Sequence, residues 1–196
     1  MRLKFILLYH LIYSYLLNVL LKLHPNLKYD FSVRFKGRPG ILIHSKARIK
    51  IGKNTVINSV NFGYHLQMHS PVKLYADRAN AIIDIGSNTR INGSCIHAFK
   101  KITIGDNCLI AANTQIIDAN GHELMMHQPE SRIQSSDNGN EIQIGNTVWI
   151  GANCIILGGT KIGDGSVIAA GSIVRGRLDS KGLYGGNPAT LIKQYK

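Results

Sequence analysis

The sequence predicts an all-β fold: a parallel β-helix of hexapeptide repeats, preceded by one α-helix and interrupted by a loop extruded near 121–141. Three observations carry this. An aliphatic residue recurs at every sixth position from Ile144 through Ile150, Ile156, Ile162 and Ile168 to Val174, and again over Ile104, Ile110 and Ile116 and over Ile85 and Ile91. Ile-Gly pairs begin at 51, 85, 104, 144 and 162, with spacings of 34, 19, 40 and 18. The first 25 residues follow a different, helical pattern. A six-residue period suits neither a helix nor a plain alternating strand. It suits short strands joined by tight turns, and three such sides close an 18-residue coil.

The N-terminal segment comes first. Residues Leu3–Leu23 are overwhelmingly apolar, but His10, Ser14, Asn18 and Lys22 recur every four residues and lay a thin polar stripe along one face of a helix. Pro25 ends it. The stretch lacks the uninterrupted apolar core and small-residue cleavage site of a secretory signal. Three readings stay open for residues 1–25: a helix lying in a membrane interface, a helix packed on its own or a neighbouring subunit, and a membrane span.

Charge sharpens the first of these. The chain has 23 basic and 11 acidic side chains, a net +12, and residues 1–50 hold ten of the basic ones against a single acid, Asp30. The basic excess therefore belongs to the N-terminal quarter and fits an anionic surface such as phospholipid. No aromatic-interleaved basic stripe accompanies it, so nucleic acid is not expected. The composition also excludes a disordered chain and a disulfide scaffold.

The repeats follow, over 26–178, with a tail at 179–196. Gly or Ala often follows the aliphatic residue, as at Gly86, Gly105, Ala111, Gly145 and Gly151. Four positions after the aliphatic stands a small side chain: Cys95, Cys108, Thr114, Val148, Cys154, Thr160, Ser166 and Ser172. Cys95, Cys108 and Cys154 share that slot, which reads as packing, not as nucleophile, metal ligand or disulfide. An odd cysteine count without a secretion signal fits a reducing cytoplasm. The spacing of 40 is one coil plus about 22 residues, so a long loop leaves the repeat there.

These residues resemble the hexapeptide-repeat acyltransferases, over about residues 41–193. The resemblance implies a left-handed β-helix, a homotrimer, and active sites in the clefts between prisms. Within that family the nearest pattern is that of sugar and xenobiotic O-acetyltransferases: Asp118-Ala-Asn-Gly-His122 opening a loop, Arg132, Ile144-Gly-Asn-Thr-Val-Trp149-Ile-Gly151, and Gly186-Asn-Pro-Ala189. It implies acetyl-CoA as donor, a carbohydrate hydroxyl as acceptor and no metal. It also implies His122 as general base, with Asn92 lining the acceptor side. Trp149, Ala152 and Ala170 then stand beside the pantetheine arm, and Arg175 and Lys193 near the nucleotide. Imidazole suits the base because its pKa lies near working pH. The setting expected is cytoplasmic, at the inner face of the membrane, in surface polysaccharide or glycolipid synthesis.

Two other classes stay open on the sequence. His97, His122 and His127 include a pair five apart, as in γ-class carbonic anhydrases, which bind zinc on a β-helix. His97 also stands where the six-residue count from Ile91 expects an aliphatic side chain. The second alternative is a non-catalytic β-helix scaffold, for which an eroded His122 element would be expected.

Overall fold

The computed structural model describes residues 2–196, with side chains described from Leu8 onward except those of His10 and Leu11. The predicted placements of Arg2, Lys4 and the His10 side chain lie outside the described residues.

The described residues form one α-helix, Arg2–Leu21, and a left-handed parallel β-helix with three faces. The first face stacks seven strands from Leu27–Tyr29 to Arg177–Leu178, and the second runs from Arg34–Lys36 to Gly182–Gly186. The third stacks six strands, from Gly40–Ile43 to Ile173–Val174. Register makes the repeat into a core. Ile85, Ile104, Ile144 and Ile162 pair in sequence on the first face, and Ile91, Ile110, Ile150 and Ile168 on the second. Ile96, Ile116 and Ile156 do so on the third. All are buried, so each coil adds its isoleucines to continuous aliphatic columns.

The small-residue slot has a bonding role as well as a packing one. Thr89 Oγ1 donates to Gly105 O at 3.0 Å, Thr114 Oγ1 to Gly151 O at 2.9 Å, and Ser166 Oγ to Asp179 O at 2.9 Å. Each side chain inside a corner thus satisfies a turn carbonyl of the next coil. Cys108 and Cys154 fill the same place, with Sγ 3.1 Å from Gly145 O and 3.2 Å from Ala169 O. The glycine after the aliphatic is equally local in cause: a Cβ on Gly105 would sit 2.6 Å from Gly145 O. The corner below leaves no room for one.

Three features depart from an even count. The corner after Arg90–Asn92 is one residue short, so Ile96 takes the inward place and His97 points outward from the third face. Ser94, not Cys95, consequently fills the small slot there, bonding Ala111 O at 2.8 Å. The spacing of 34 conceals a second extrusion, residues 59–72, clamped to a lower corner by Asn113: its Nδ2 donates to Gln67 O at 3.0 Å and its Oδ1 accepts from His69 N at 2.9 Å. Finally, parallel stacking runs past Leu178. Gly182–Gly186 pairs with Val167–Ile168, and Ala189–Gln194 then folds back antiparallel to close that end.

At the other end lies the helix, with its polar stripe turned inward. The Ser14 hydroxyl donates to Phe35 O, Asn18 Nδ2 to Val33 O at 2.8 Å, and Lys22 Nζ to Tyr29 O. No helix among the described residues is long and apolar enough to cross a membrane.

Candidate active site

The loop that carries His122 grows from a corner anchored by Asp118. This residue ends the third-face strand Gln115–Ile117 and is fully buried. Its carboxylate accepts from the amides of the wide turn one coil above: Phe99 N at 2.7 Å, Lys100 N at 2.9 Å and Lys101 N at 2.7 Å. Burial pushes the carboxyl upward from its ordinary pKa, against the pull of those three donors. Its carbonyl accepts from Asn140 N at 2.6 Å, and Asn140 O accepts from Gly159 N at 3.0 Å, so the neck of the loop is closed. The loop is an excursion on a rigid base.

Inside the loop, polar bonds replace packing. Asp137 accepts from Asn120 N at 2.6 Å and Gly139 N at 3.2 Å. Arg132 sits in the short 3₁₀ helix Pro129–Gln134 and donates from Nε to Leu124 O at 2.6 Å. Ser135 accepts at its hydroxyl from Glu123 N at 3.0 Å, and its carbonyl lies 3.0 Å from His122 Nδ1. A carbonyl can only accept, so this contact selects the tautomer with the proton on Nδ1. In the neutral ring the lone pair is then on Nε2, and the contact orients an otherwise exposed side chain.

The other predicted residues fall on two different edges of the prism. Asn92, Ala152 and Ala170 line the edge between the second and third faces. Asn92 has both amide atoms engaged, accepting from Asn58 Nδ2 at 3.1 Å and donating to Ile110 O at 3.1 Å. Trp149 projects from the second face, about half exposed, between Leu109 and Val167 of the neighbouring coils. Arg175 and the His122 loop leave from the edge between the third and first faces. Lys193 is on the C-terminal antiparallel strand, its Nζ 4.9 Å from the Tyr195 ring centroid. The His122 loop and the alanine corners therefore leave the prism from different edges, with the third face, about three residues or roughly 10 Å wide, between them.

Among the described residues no group of three His, Cys, Asp or Glu side chains converges. His97, displaced outward by the short corner, is paired through Nε2 with Asp77 Oδ1 at 3.0 Å and rests edge-on against Tyr75 and Phe99. Sequence reasoning missed Asp137, Ser135 and Asn113 as positioning residues. Only the spacing of 34 signalled the loop that Asn113 holds.

A left-handed parallel β-helix of six-residue turns with an extruded loop is an architecture shared by a class of transferases. The comparisons agree. Residues 141–176 match the bacterial transferase hexapeptide (six repeats), and residues 82–117 the hexapeptide repeat of succinyl-transferase. A putative lipopolysaccharide biosynthesis O-acetyl transferase of Escherichia coli is 33% identical over 147 residues, 70% of this chain and 72% of that protein. The galactoside O-acetyltransferase of the same organism is 32% identical over 145 residues, 74% of this chain and 63% of that one. Among solved structures, galactoside acetyltransferase in complex with coenzyme A superposes with a TM-score of 0.52 at 27% identity, over 85% of this chain and 65% of that one. An acetyl-coenzyme A complex of a Vibrio cholerae hexapeptide-repeat acetyltransferase gives a TM-score of 0.52 at 34% identity, over 59% and 60%. The chain belongs to the hexapeptide-repeat acyltransferases, in their sugar O-acetyltransferase branch, and is an acyltransferase.

Proposed function

We propose that this enzyme transfers the acetyl group of acetyl-CoA to a hydroxyl of a carbohydrate, with His122 as general base. The observation that supports the reading is the bond between His122 Nδ1 and Ser135 O, which engages Nδ1 and leaves Nε2 as the ring nitrogen available to an acceptor. Nε2 takes the acceptor's hydroxyl proton as its oxygen attacks the thioester carbonyl carbon. The tetrahedral oxyanion then collapses, the C–S bond breaks, and the coenzyme A thiolate recovers the proton from the imidazolium. A thiolate leaves readily enough that the step needs no metal.

The separation of the two edges supports assembly as a homotrimer, in which one chain's His122 loop meets a neighbour's Trp149, Ala152 and Ala170. In that cleft the alanine corners admit the narrow pantetheine, Trp149 covers it, and Arg175 and Lys193 offer charge to the nucleotide phosphates. Asn92, its amide held in the ladder with Asn58, borders the acceptor side. The setting we infer is the cytoplasmic face of the membrane, in surface polysaccharide or glycolipid synthesis, with residues 1–25 making the peripheral contact.

The test is acetyl-CoA consumption against a panel of glycosides, followed by mass spectrometry of the product. A mass increase of one acetyl group that resists hydroxylamine places it on nitrogen and overturns the hydroxyl acceptor. Absence of transfer to any glycoside, with acetyl-CoA bound, overturns the carbohydrate.

A further inference from the structure

The helix Arg2–Leu21 presents its surfaces in the reverse of the usual order for a globular protein. In the first coil, half of the backbone carbonyls have no coil above to pair with, as on any sheet edge. Ser14, Asn18 and Lys22 supply donors to three of them, Phe35 O, Val33 O and Tyr29 O, and the Tyr29 hydroxyl donates back to Asn18 O at 2.5 Å. The polar stripe is thus consumed by the prism. The opposite face is apolar and open: Ile12, Leu16 and Leu20 are exposed, Leu20 by 64%. Leu23, just past the helix, is 78% exposed, and Leu42 of the first coil is exposed beside the helix. Beside it an apolar groove runs between Leu17 and Leu20 of the helix and Ile41 and Leu42 of the coil, with Arg38 at its lip.

We infer that this end of the prism docks on an anionic lipid bilayer, with the outward face of the helix in the acyl boundary and the cations of the first coil against the headgroups. Charge complementarity selects the occupant. Around the same end Lys28, Arg34, Lys36 and Arg38 are all exposed, against the single acid Asp30. Residues 1–50 carry 10 − 1 = +9. A second copy meeting this end face to face would bring like charge onto like charge, whereas anionic lipid satisfies both the apolar patch and the cations around it. The inference extends the functional reading by naming the surface on which the enzyme works, and it does not depend on the chemistry at His122.

The experiment is co-sedimentation of the full chain with vesicles of phosphatidylcholine alone or with about one-third phosphatidylglycerol. Binding is expected only to the anionic vesicles, weakening about tenfold or more as salt rises from about 0.1 to 0.5 M. The double substitution Leu16→Glu/Leu20→Glu should abolish it while leaving oligomeric state and melting temperature unchanged. Should that chain fold poorly, Lys28→Glu/Arg34→Glu/Lys36→Glu, at exposed strand positions outside the helix, should still lower binding more than tenfold. The inference is overturned by equal binding to both vesicles, by no binding, or by dissociation of the oligomer on substituting Leu16 and Leu20, which would assign the face to another copy. Acetyl transfer to a soluble glycoside should be unchanged in either variant. If the unsubstituted chain binds vesicles but transfers no acetyl, the catalytic reading fails and the docking surface stands.

Discussion

The coils and the loop at 119–141 hold their shape by different means. In the coils each inward residue lies above another of the same kind, and Ile150 packs between Ile110 and Ile168 with no exposure at all. In the loop no residue from 119 to 141 is buried. Hydrogen bonds hold it instead, from Asn120 N to Asp137, from Glu123 N to Ser135 and from Arg132 to Leu124 O, on a root that Asp118 ties to Phe99 N. The difference teaches that burial holds the coils and hydrogen bonding holds the loop. With His122 in its proposed role, a change in the core should cost folding and a change in the loop should cost turnover.

The separation predicts its largest effect at the loop. His122→Ala should lower turnover about 10²- to 10⁴-fold, the usual worth of a general base, with an unchanged melting curve and unchanged acetyl-CoA binding. Turnover within a few-fold of the original would remove His122 from the mechanism. The coil should respond in the opposite sense. Ile150→Ala should cost about 2–5 kcal/mol of stability in denaturant titration, with turnover per folded molecule nearly preserved. A loss of turnover as large as that of His122→Ala would end the distinction.

Asp118 joins the two regions and should show a mixture. Asp118→Asn replaces one acceptor oxygen by a donor facing an amide, so it should cost about 1–3 kcal/mol and also slow turnover by loosening the root of the loop. The pH dependence has a defined sign. Burial raises this carboxyl above its ordinary value of 3.8. Its contribution to stability is therefore complete below that value and is lost as pH rises through the raised one. Asp118→Asn lacks this slope, and denaturant midpoints of both chains between about pH 3 and 7 read it.

Trp149→Ala should be milder. An exposed ring is lost while Ile150 keeps the core, so the apparent acetyl-CoA requirement should rise about 3- to 10-fold with little change in melting temperature. The smallest effect concerns thiols. Burial pushes the thiols of Cys108 and Cys154 upward from their ordinary pKa. Neither should be alkylated by iodoacetamide in the native chain at about pH 8, and both should react once it is unfolded.

Much of the coil was legible because its cause is local. An inward isoleucine every six residues and a glycine where the next corner leaves no room are properties of each repeat, visible without its neighbours. The loop was legible in the spacing of 40, and His122 in the motif that opens it. The hidden features depend on contacts between coils. A corner shortened by one residue at Gly93 moved His97 outward and put Ser94 in the slot expected for Cys95. The spacing of 34 does not by itself say that Asn113, from two coils away, pins residues 67–69.

By itself, then, the sequence determined the period, the aliphatic columns, the extruded loop and the histidine on it. Tertiary structure decided which tautomer that histidine adopts, because Ser135 O is 13 residues distant in sequence. It also decided which way the helix faces. The four-residue spacing of Ser14, Asn18 and Lys22 marks a polar stripe but not its direction. The unpaired carbonyls of the first coil turned that stripe inward, since leaving them without donors under a helix costs more free energy than leaving leucines exposed beside it.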